Sequence, residues 1–299
     1  MATPFTRSGK VSHAASLRQA GERVAMPFPS LVAEAERIAA TVAQGVHGRR
    51  QRGIGETFWE YRHHRAEDGA SAVDWRMSAR TQNLFVRENE WEAANTVWMW
   101  RDGSASMDWA SSKSIPTKRD RAAICLIALA SLLTRGGERV AVLGESAAPR
   151  SGELGMERVS ARLAMGPGSM ESVESPRMAK HGQAVIASDF LDPFETWQAR
   201  LARFSAMQAG GVMLRVIDPS EEDFPYTGRT RFEAPGGGET LLFGRAEEAS
   251  QAYRARWARH GDAVADLARR ANWTLVTHRT DRPATQAVLA LHRALSRDV

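Results

Sequence analysis

The chain has 299 residues, and its hydrophobic fraction of 43% is enough to form a substantial core in one large domain or two ordinary ones. The formal net charge of +5 comes mostly from arginine, which suits phosphates or an acidic protein surface and does not choose between them. The longest apolar run, Ala122–Ala130, is too short for a bilayer span and the N-terminus lacks the apolar core of a signal peptide, so we predict a cytoplasmic protein without a membrane span.

The N-terminal third of the chain begins with a polar segment. Residues 1–29 are rich in small and polar side chains, which predicts a flexible leader. From Ser30, a candidate N-cap, apolar side chains recur at helical spacing and predict an amphipathic helix. Thr57–Arg62 has the aromatic content of a strand. We therefore assign residues 30–95 to an N-terminal extension made of one helix and a small β element.

Residues 96–299 alternate between short apolar strands and longer helical patterns. The first unit consists of a strand at Val97–Trp100, a helix at Thr117–Thr134 and a strand at Arg139–Leu143. Further helices and strands are predicted in the order Glu153–Met165, Ala184–Ala187, Pro193–Gln208, Gly211–Ile217, Glu247–Arg270, Trp273–Thr277 and Pro283–Arg297. This order predicts an α/β domain whose mostly parallel sheet is covered by helices on both faces.

The single cysteine of the chain, Cys125, lies inside the apolar pattern of the helix that follows the first strand. A single cysteine cannot form an internal disulfide, and a cysteine within an apolar helical pattern is typical of a small core residue. We therefore interpret Cys125 as part of the core and do not expect redox or nucleophilic chemistry from it.

A turn with regularly spaced oxygen groups follows the first strand of this domain. One carboxylate and two hydroxyls stand at alternate positions, Asp102, Ser104 and Ser106. Ligands gather at the carboxyl ends of parallel strands, and Mg²⁺ prefers six oxygen ligands. Because these three groups fill half of such a shell, we expect a second carboxylate, Asp189, from the end of the strand at 184–187. The sequence therefore predicts a Mg²⁺ or Mn²⁺ site at these four residues.

Other interpretations of the turn are weaker. Aspartate and serine are common turn formers, and this pattern arises by chance in roughly one chain in ten or fifteen of this length. An aspartyl phosphotransferase needs a second carboxylate two residues after the first, where this chain has Ser104. A metal-dependent hydrolase needs a base beside the cation, and the sequence nominates none. The position after a buried strand, with Asp189 after another, favours the metal site.

The basic residues suggest a second class of function. Their only dense cluster is His47–Arg52, and the remaining positive charge is scattered along surface helices. A nucleic-acid-binding protein that uses Arg49, Arg50 and Arg52 with nearby aromatic side chains is the alternative hypothesis. A scattered charge is more typical of a solvated surface, so nucleic acid is the less favoured partner.

Several motifs resemble known families. The segment Asp102–Met107 resembles the metal-ion-dependent adhesion site of von Willebrand factor A-type domains. The chain is also similar, over roughly residues 35–297, to the bacterial family called domain of unknown function 58. The motifs that carry this second resemblance are Arg50–Phe58, Asp74–Arg76, Ala79–Arg80, Leu84–Glu88, Ser188–Phe190 and Asp218–Glu221.

This resemblance implies a von Willebrand factor A-like, Rossmann-like sheet and a divalent cation at its strand ends. By match, the ligands fall on Asp102, Ser104, Ser106 and Asp189. The family's threonine from the middle loop has no counterpart in this sequence, where Ser151 or Ser169 are the candidates to replace it, and the family's Gly-Asp is altered to Glu67–Gly69.

The same resemblance implies a function in protein interaction without catalysis. An acidic side chain of a partner fills the open position on the cation, and the family is often linked to MoxR-type AAA+ ATPases. We therefore expect an adaptor that works with such an ATPase in the maturation or assembly of other proteins. Three tryptophans flank the predicted site, namely Trp98, Trp100 and Trp109. Core packing accounts for most tryptophans in the chain, whereas an exposed one would anchor a partner.

Overall fold

The computed structural model of the protein describes residues 29–47, 58–63, 78, 83, 85–89, 96–165, 178 and 182–296. In these ranges the helices are α1 (Pro29–His47), α2 (Lys118–Arg135), α3 (Gly152–Met165), α4 (Phe194–Ala206), α5 (Pro219–Asp223), α6 (Ser250–Arg270) and α7 (Ala284–Leu295). The strands are β1 (Phe58–His63), β2 (Phe85–Asn89), β3 (Thr96–Arg101), β4 (Arg139–Val142), β5 (Gln183–Ser188), β6 (Gly210–Ile217), β7 (Thr230–Glu233), β8 (Thr240–Phe243) and β9 (Trp273–Arg279).

Five parallel strands form the central sheet in the order β4-β3-β5-β6-β9. Helices pack on both of its faces, which confirms the predicted α/β class and the mostly parallel sheet. The N-terminal extension contributes α1 and an antiparallel pair of strands, β1 and β2. The predicted leader lies outside the described residues apart from Pro29.

The alternation of side chains in β3 shows how the two faces of the sheet are covered. Val97 and Met99 point into a cluster with side chains of α1, α2, α3 and α7, whereas Trp98 and Trp100 point into a cluster with α4 and α6. All four side chains are almost fully buried. Burial of each large apolar side chain contributes about 1.5–3 kcal/mol, so both faces of this strand stabilise the fold.

Helix α2 is apolar around most of its circumference because it lies between the sheet and α1. Every side chain of Ala122–Ala130 is buried, and a helix that is apolar all round is typical of a core position. The helix begins as the sequence predicts: the hydroxyl of Thr117 accepts the backbone N–H of Asp120 at 3.1 Å. It ends at Gly136, whose backbone N–H donates to the carbonyl of Leu132.

The order of the strands places a crevice between β3 and β5. From β3 the chain passes through α2 on one face to β4, whereas from β5 it passes through α4 on the other face to β6. The two connections therefore leave adjacent strands in opposite directions. In parallel sheets this arrangement opens a crevice at the carboxyl ends of the two strands, where ligands bind.

The strands β7 and β8 form a hairpin next to that crevice. Gly236, Gly237 and Gly238 lie in the loop that joins the two strands. All three glycines have positive φ angles, +84°, +88° and +110°, which side chains rarely tolerate. A Cβ atom on Gly236 would lie 3.2 Å from the Cβ of Ala105, so the tip of the hairpin contacts the turn between Ser104 and Ser106.

Candidate metal centre at the carboxyl edge of the sheet

Asp102 is held by two strands. Its backbone N–H donates to the carbonyl of Ala187 at 2.8 Å, which extends the pairing of β3 with β5 by one residue. One carboxylate oxygen, Oδ1, accepts the backbone N–H of Ser104 at 2.7 Å, and Oδ2 accepts the hydroxyl of Ser188 at 2.6 Å. Only 5% of Asp102 is exposed. The carboxylate is therefore oriented on both sides before any ligand arrives.

The two serine hydroxyls of the turn lie side by side. A short 3₁₀ helix at Ala105–Asp108 follows Ser104, and the Oγ atoms of Ser104 and Ser106 are 3.0 Å apart. Two ligands at right angles around Mg²⁺, each about 2.1 Å from the ion, are also about 3 Å apart. The hydroxyls thus have the spacing of neighbouring positions in an octahedral shell.

Asp189, directly after β5, is bonded to a lysine. Its Oδ1 accepts the backbone N–H of Leu191 at 3.1 Å, and its Oδ2 accepts a proton of the Lys118 ammonium at 2.9 Å. Lys118, the first residue of α2, also donates to the carboxylate of Glu221. Both Lys118 and Asp189 are fully enclosed, with 1% of each side chain exposed. The second predicted carboxylate therefore already has a positive partner.

The pKa values of Asp102 and Lys118 are both raised, with opposite consequences for the charges of the two groups. Burial raises the pKa of Asp102; the hydrogen bonds from Ser188 and Ser104 offset this only in part, and the charge of Asp189 adds to it. Burial alone would lower the pKa of Lys118, but the carboxylates of Asp189 and Glu221 outweigh it and raise that pKa. Lys118 is therefore a stable ammonium, whereas burial disfavours the charged form of Asp102.

The carboxyl end of β6, the strand next to β5, also contacts the turn after β3. Asp218 caps α5: its carboxylate accepts the backbone N–H of Ser220 at 2.8 Å and that of Ser111 at 2.9 Å. Burial alone would raise the pKa of Asp218, but the bonds from Ser220 and Ser111 lower it. The carboxylate of Glu221 accepts the backbone N–H of Asp218 in return, at 2.8 Å. Asp218 is thus a saturated cap that joins the turn after β3 to β6.

Lys118 is the functional residue that sequence reasoning missed. A lysine in the first turn of a helix opposes the helix dipole, which favours negative charge at that end. The helix also follows a turn that contains the carboxylates Asp102 and Asp108. A lysine at this unfavourable position, close in sequence to carboxylates, is the signal that could have found it.

Segments next to the same edge carry exposed apolar side chains. Of the six large apolar side chains exposed in the described part of the chain, four belong to segments next to the crevice. Trp109 is 45% exposed and donates its Nε1–H to the hydroxyl of Ser220 at 3.2 Å, and Leu191 follows Asp189. Leu241 and Leu242 lie in the hairpin whose tip contacts Ala105. Exposed apolar groups in neighbouring segments are typical of an interaction surface.

A family model described as "Protein of unknown function DUF58" matches residues 60–264, which is more than half of the chain. The chain belongs to the DUF58 family. This confirms the resemblance to that family, and the matched range includes every residue of the candidate metal centre.

The relatives of this DUF58 protein include uncharacterized proteins of Mycobacterium bovis and of two strains of Mycobacterium tuberculosis. Each is 26% identical over 247 residues, and the alignment covers 77% of this chain and 76% of the relative. Solved structures also match. One is the conserved hypothetical protein BatB from Bacteroides thetaiotaomicron, with 12% identity, a TM-score of 0.37, and coverage of 68% of this chain and 100% of that one.

The second matching structure is described as an aerotolerance-related membrane protein from Bacteroides fragilis, with 12% identity, a TM-score of 0.41, and coverage of 68% of this chain and 100% of that one. The prediction of a cytoplasmic protein is corrected here. It rested on the lack of an apolar span, and a matching protein is described as a membrane protein, so that lack does not justify the prediction. Among the helices described in this DUF58 protein, none is long and apolar enough to cross a membrane.

Only part of the predicted ligand set in this DUF58 protein is arranged to suit a hard cation. The structure brings together Asp102, Ser104 and Ser106, and it places Asp189 at the neighbouring strand end, but bonded to Lys118. In the described ranges, no group of three or more His, Cys, Asp or Glu side chains is arranged to hold a metal ion. A cation here would therefore depend on the hydroxyls and on Asp102.

The candidates for the missing threonine do not complete this shell. Ser151 is exposed and follows Arg150, which pairs with Val140 near the amino end of β4, away from the carboxyl edge. Ser169 lies outside the described residues, as do Glu67–Gly69 and the basic side chains Arg49, Arg50 and Arg52 of the nucleic-acid hypothesis.

Proposed function

We propose that this DUF58 protein is a non-enzymatic, metal-dependent protein-interaction domain of von Willebrand factor A-like type, which binds its partner at the carboxyl edge of the sheet. The observation that carries the proposal is that four exposed apolar side chains belong to segments next to the crevice that holds the oriented Asp102, namely Trp109, Leu191, Leu241 and Leu242. Aromatic and apolar anchors next to a polar centre are typical of protein interfaces.

Asp102, Ser104 and Ser106 would hold a Mg²⁺ or Mn²⁺ ion in this domain. The ion, when bound, supplies positive charge for a carboxylate of the partner. The chain's own residues prepare that interaction: Ser188 and the backbone N–H of Ser104 fix the carboxylate of Asp102. Because the two hydroxyl ligands are neutral, they leave more of the charge of the ion to the partner than carboxylates would.

The partner we propose is a MoxR-type AAA+ ATPase, with this protein as an adaptor in the maturation or assembly of other proteins. The basis for this partner is the family resemblance, which adds to the exposed apolar surface. An ATPase of this kind from the same organism is therefore the first protein to test.

The test is binding of that purified ATPase to the immobilised full-length chain, with Mg²⁺ or with a chelator. We expect binding in Mg²⁺ that Trp109→Ser or Leu242→Ser weakens by about tenfold or more, as for a buried interface anchor. Leu154→Ser is the matched control, since Leu154 is 69% exposed in the first turn of α3, away from the crevice.

Two results would count against the proposal. Equal binding by the wild-type chain and by the Trp109 and Leu242 variants would mean that these exposed side chains do not contact the ATPase. Binding that is unchanged by the chelator and by Asp102→Ala would remove the metal ion.

A further inference from the structure

The ammonium of Lys118 occupies the side of the site where the family resemblance expects a metal ligand. It lies 2.9 Å from Oδ2 of Asp189 and also contacts the carboxylate of Glu221. The other oxygen of Asp189 accepts the backbone N–H of Leu191. Both oxygens of Asp189 therefore have donors, and one of those donors carries a full positive charge.

This ammonium cannot move away from Asp189 into water. Lys118 is fully buried at the first position of α2, and its backbone N–H donates to the carbonyl of Trp109 at 3.0 Å. If Asp189 turned away, this buried ammonium would keep only the carboxylate of Glu221, and the loss of one partner of a buried ion pair is destabilising. A divalent ion bound directly to Asp189 would lie close to this ammonium and would be repelled by it.

We propose that Lys118 is the permanent counter-ion of Asp189, so that Asp189 fixes the shape of the crevice and is not a ligand of the divalent ion. The ion is then held by Asp102, Ser104 and Ser106 alone. This inference departs from the ligand set implied by the family, and it rests on the proposed function only for the presence of the ion.

The assignment has a consequence for recognition. A divalent ion with one carboxylate ligand keeps a net positive charge, whereas one with two carboxylate ligands is formally neutral. The Lys118–Asp189 pair thus leaves the ion attractive to an acidic side chain. It also makes the ion weakly held until that side chain supplies a second carboxylate.

The first test is a calorimetric titration of the full chain with Mn²⁺. We expect Asp189→Asn, which keeps the volume of the side chain, to bind Mn²⁺ within about threefold of the wild type, and Asp102→Asn to lose about tenfold or more, as for a direct ligand. If Asp189→Asn loses as much affinity as Asp102→Asn, Asp189 is a ligand and the inference is wrong.

The second test separates this inference from the proposed function. The thermal midpoints of Lys118→Met, Asp189→Asn and the double variant are compared with the wild type in chelator and in Mn²⁺. In chelator we expect the double variant to be little worse than the less stable single variant, because each substitution breaks the same pair. Additive losses would mean that the two side chains are not partners.

On addition of Mn²⁺ we expect the thermal midpoint of Lys118→Met to rise by more than that of the wild type, because the ion can then replace the ammonium at Asp189. The double variant lacks that carboxylate and should not recover. Equal increases of the midpoint in all proteins would overturn the assignment. Failure of the wild type to bind Mn²⁺ would refute the metal in the proposed function, whereas the result in chelator would still decide whether Lys118 and Asp189 form a pair.

Discussion

The hydroxyl of Ser188 donates its proton to Oδ2 of Asp102 over 2.6 Å and joins the carboxyl ends of β5 and β3. The same hydroxyl oxygen accepts the backbone N–H of Phe190 at 2.9 Å, so its own proton is directed at the carboxylate. Asp102 is therefore oriented by a residue 86 positions away and not only by its own turn. This preorganisation distinguishes the site from an ordinary turn with the same sequence.

Asp102→Asn should raise the stability of the metal-free protein at neutral pH. Burial disfavours the charged carboxylate of Asp102, and the amide has nearly the same shape without the charge, with one acceptor oxygen in place of the two that bind Ser104 and Ser188. We expect the free energy of unfolding to rise by about 1 kcal/mol, the usual scale of a single substitution. Urea unfolding in chelator measures it. A gain in stability on loss of a polar group is typical of a functional site.

Asp218→Asn is the control for that measurement. Asp218 is also fully buried, but its hydrogen bonds from Ser111 and Ser220 favour the charged form and lower its pKa. We therefore expect this variant to be less stable than the wild type. If both substitutions change stability in the same direction, burial of the charge is not the reason for the effect at Asp102.

Gly236→Ala should weaken the binding of Mn²⁺ although Gly236 is not a ligand. Its added methyl group would press on the side chain of Ala105, 3.2 Å away, between the two serines that we propose as ligands. Gly237→Ala is a matched control, because Gly237 has nearly the same φ angle, +88° against +84°, and no atom within 4 Å of the added methyl. Both variants should lose about 1–2 kcal/mol of stability through backbone strain. Calorimetry with Mn²⁺ should show lower affinity only for Gly236→Ala, and equal affinities would mean that the hairpin does not support the site.

The sheet was predictable from the sequence because its strands are continuous apolar runs bounded by clear breaks. The strand predicted at Ala184–Ala187 is observed at Gln183–Ser188, and the helix predicted at Thr117–Thr134 is observed at Lys118–Arg135. The differences of one residue arise at the ends, where backbone hydrogen bonds continue past the apolar residues. The position of Asp102 at the carboxyl edge followed from the same pattern.

The hairpin and the pairing of Lys118 were not predictable in this way. The strands β7 and β8 have four residues each, and Thr230–Glu233 contains one apolar side chain, so their periodicity is too weak to indicate a strand. Lys118 and Asp189 are separated by 71 residues, and only the folded sheet brings them together. A pattern in the sequence shows which residues follow strands, but not which side chains meet there.

Cys125 should not react with a thiol reagent in the folded protein. Burial raises the pKa of its thiol to about 12, so the reactive thiolate is scarce at neutral pH. The side chain has no exposed surface, so the reagent cannot reach the sulfur. We expect the labelling rate with a disulfide reagent to follow global unfolding, since α2 is in the core. The rate should rise with urea in parallel with the unfolding signal. Fast labelling in the absence of denaturant would contradict the assignment of Cys125 to the core.

His278 should make the protein less stable in mild acid. Burial lowers the pKa of His278 to about 4, and the nearby guanidinium of Arg121 adds to the effect. The ordinary pKa of 6.5 returns on unfolding, so between these values the unfolded chain binds a proton that the folded chain does not. The contribution is therefore present above pH 6.5 and is lost as the pH falls. From pH 7 to pH 5 we expect a loss of about 2 kcal/mol in the free energy of unfolding.

Urea titrations at several pH values measure this slope, and His278→Gln isolates the contribution of the histidine. Glutamine keeps a polar side chain in β9 but does not titrate, so the difference in unfolding free energy between the two proteins should shrink from pH 7 to pH 5. Other groups that titrate in this range are common to both proteins and cancel in the difference. A difference that stays constant over this range would mean that His278 has nearly the same pKa in the folded and the unfolded chain, so that its burial next to Arg121 does not disfavour the protonated form.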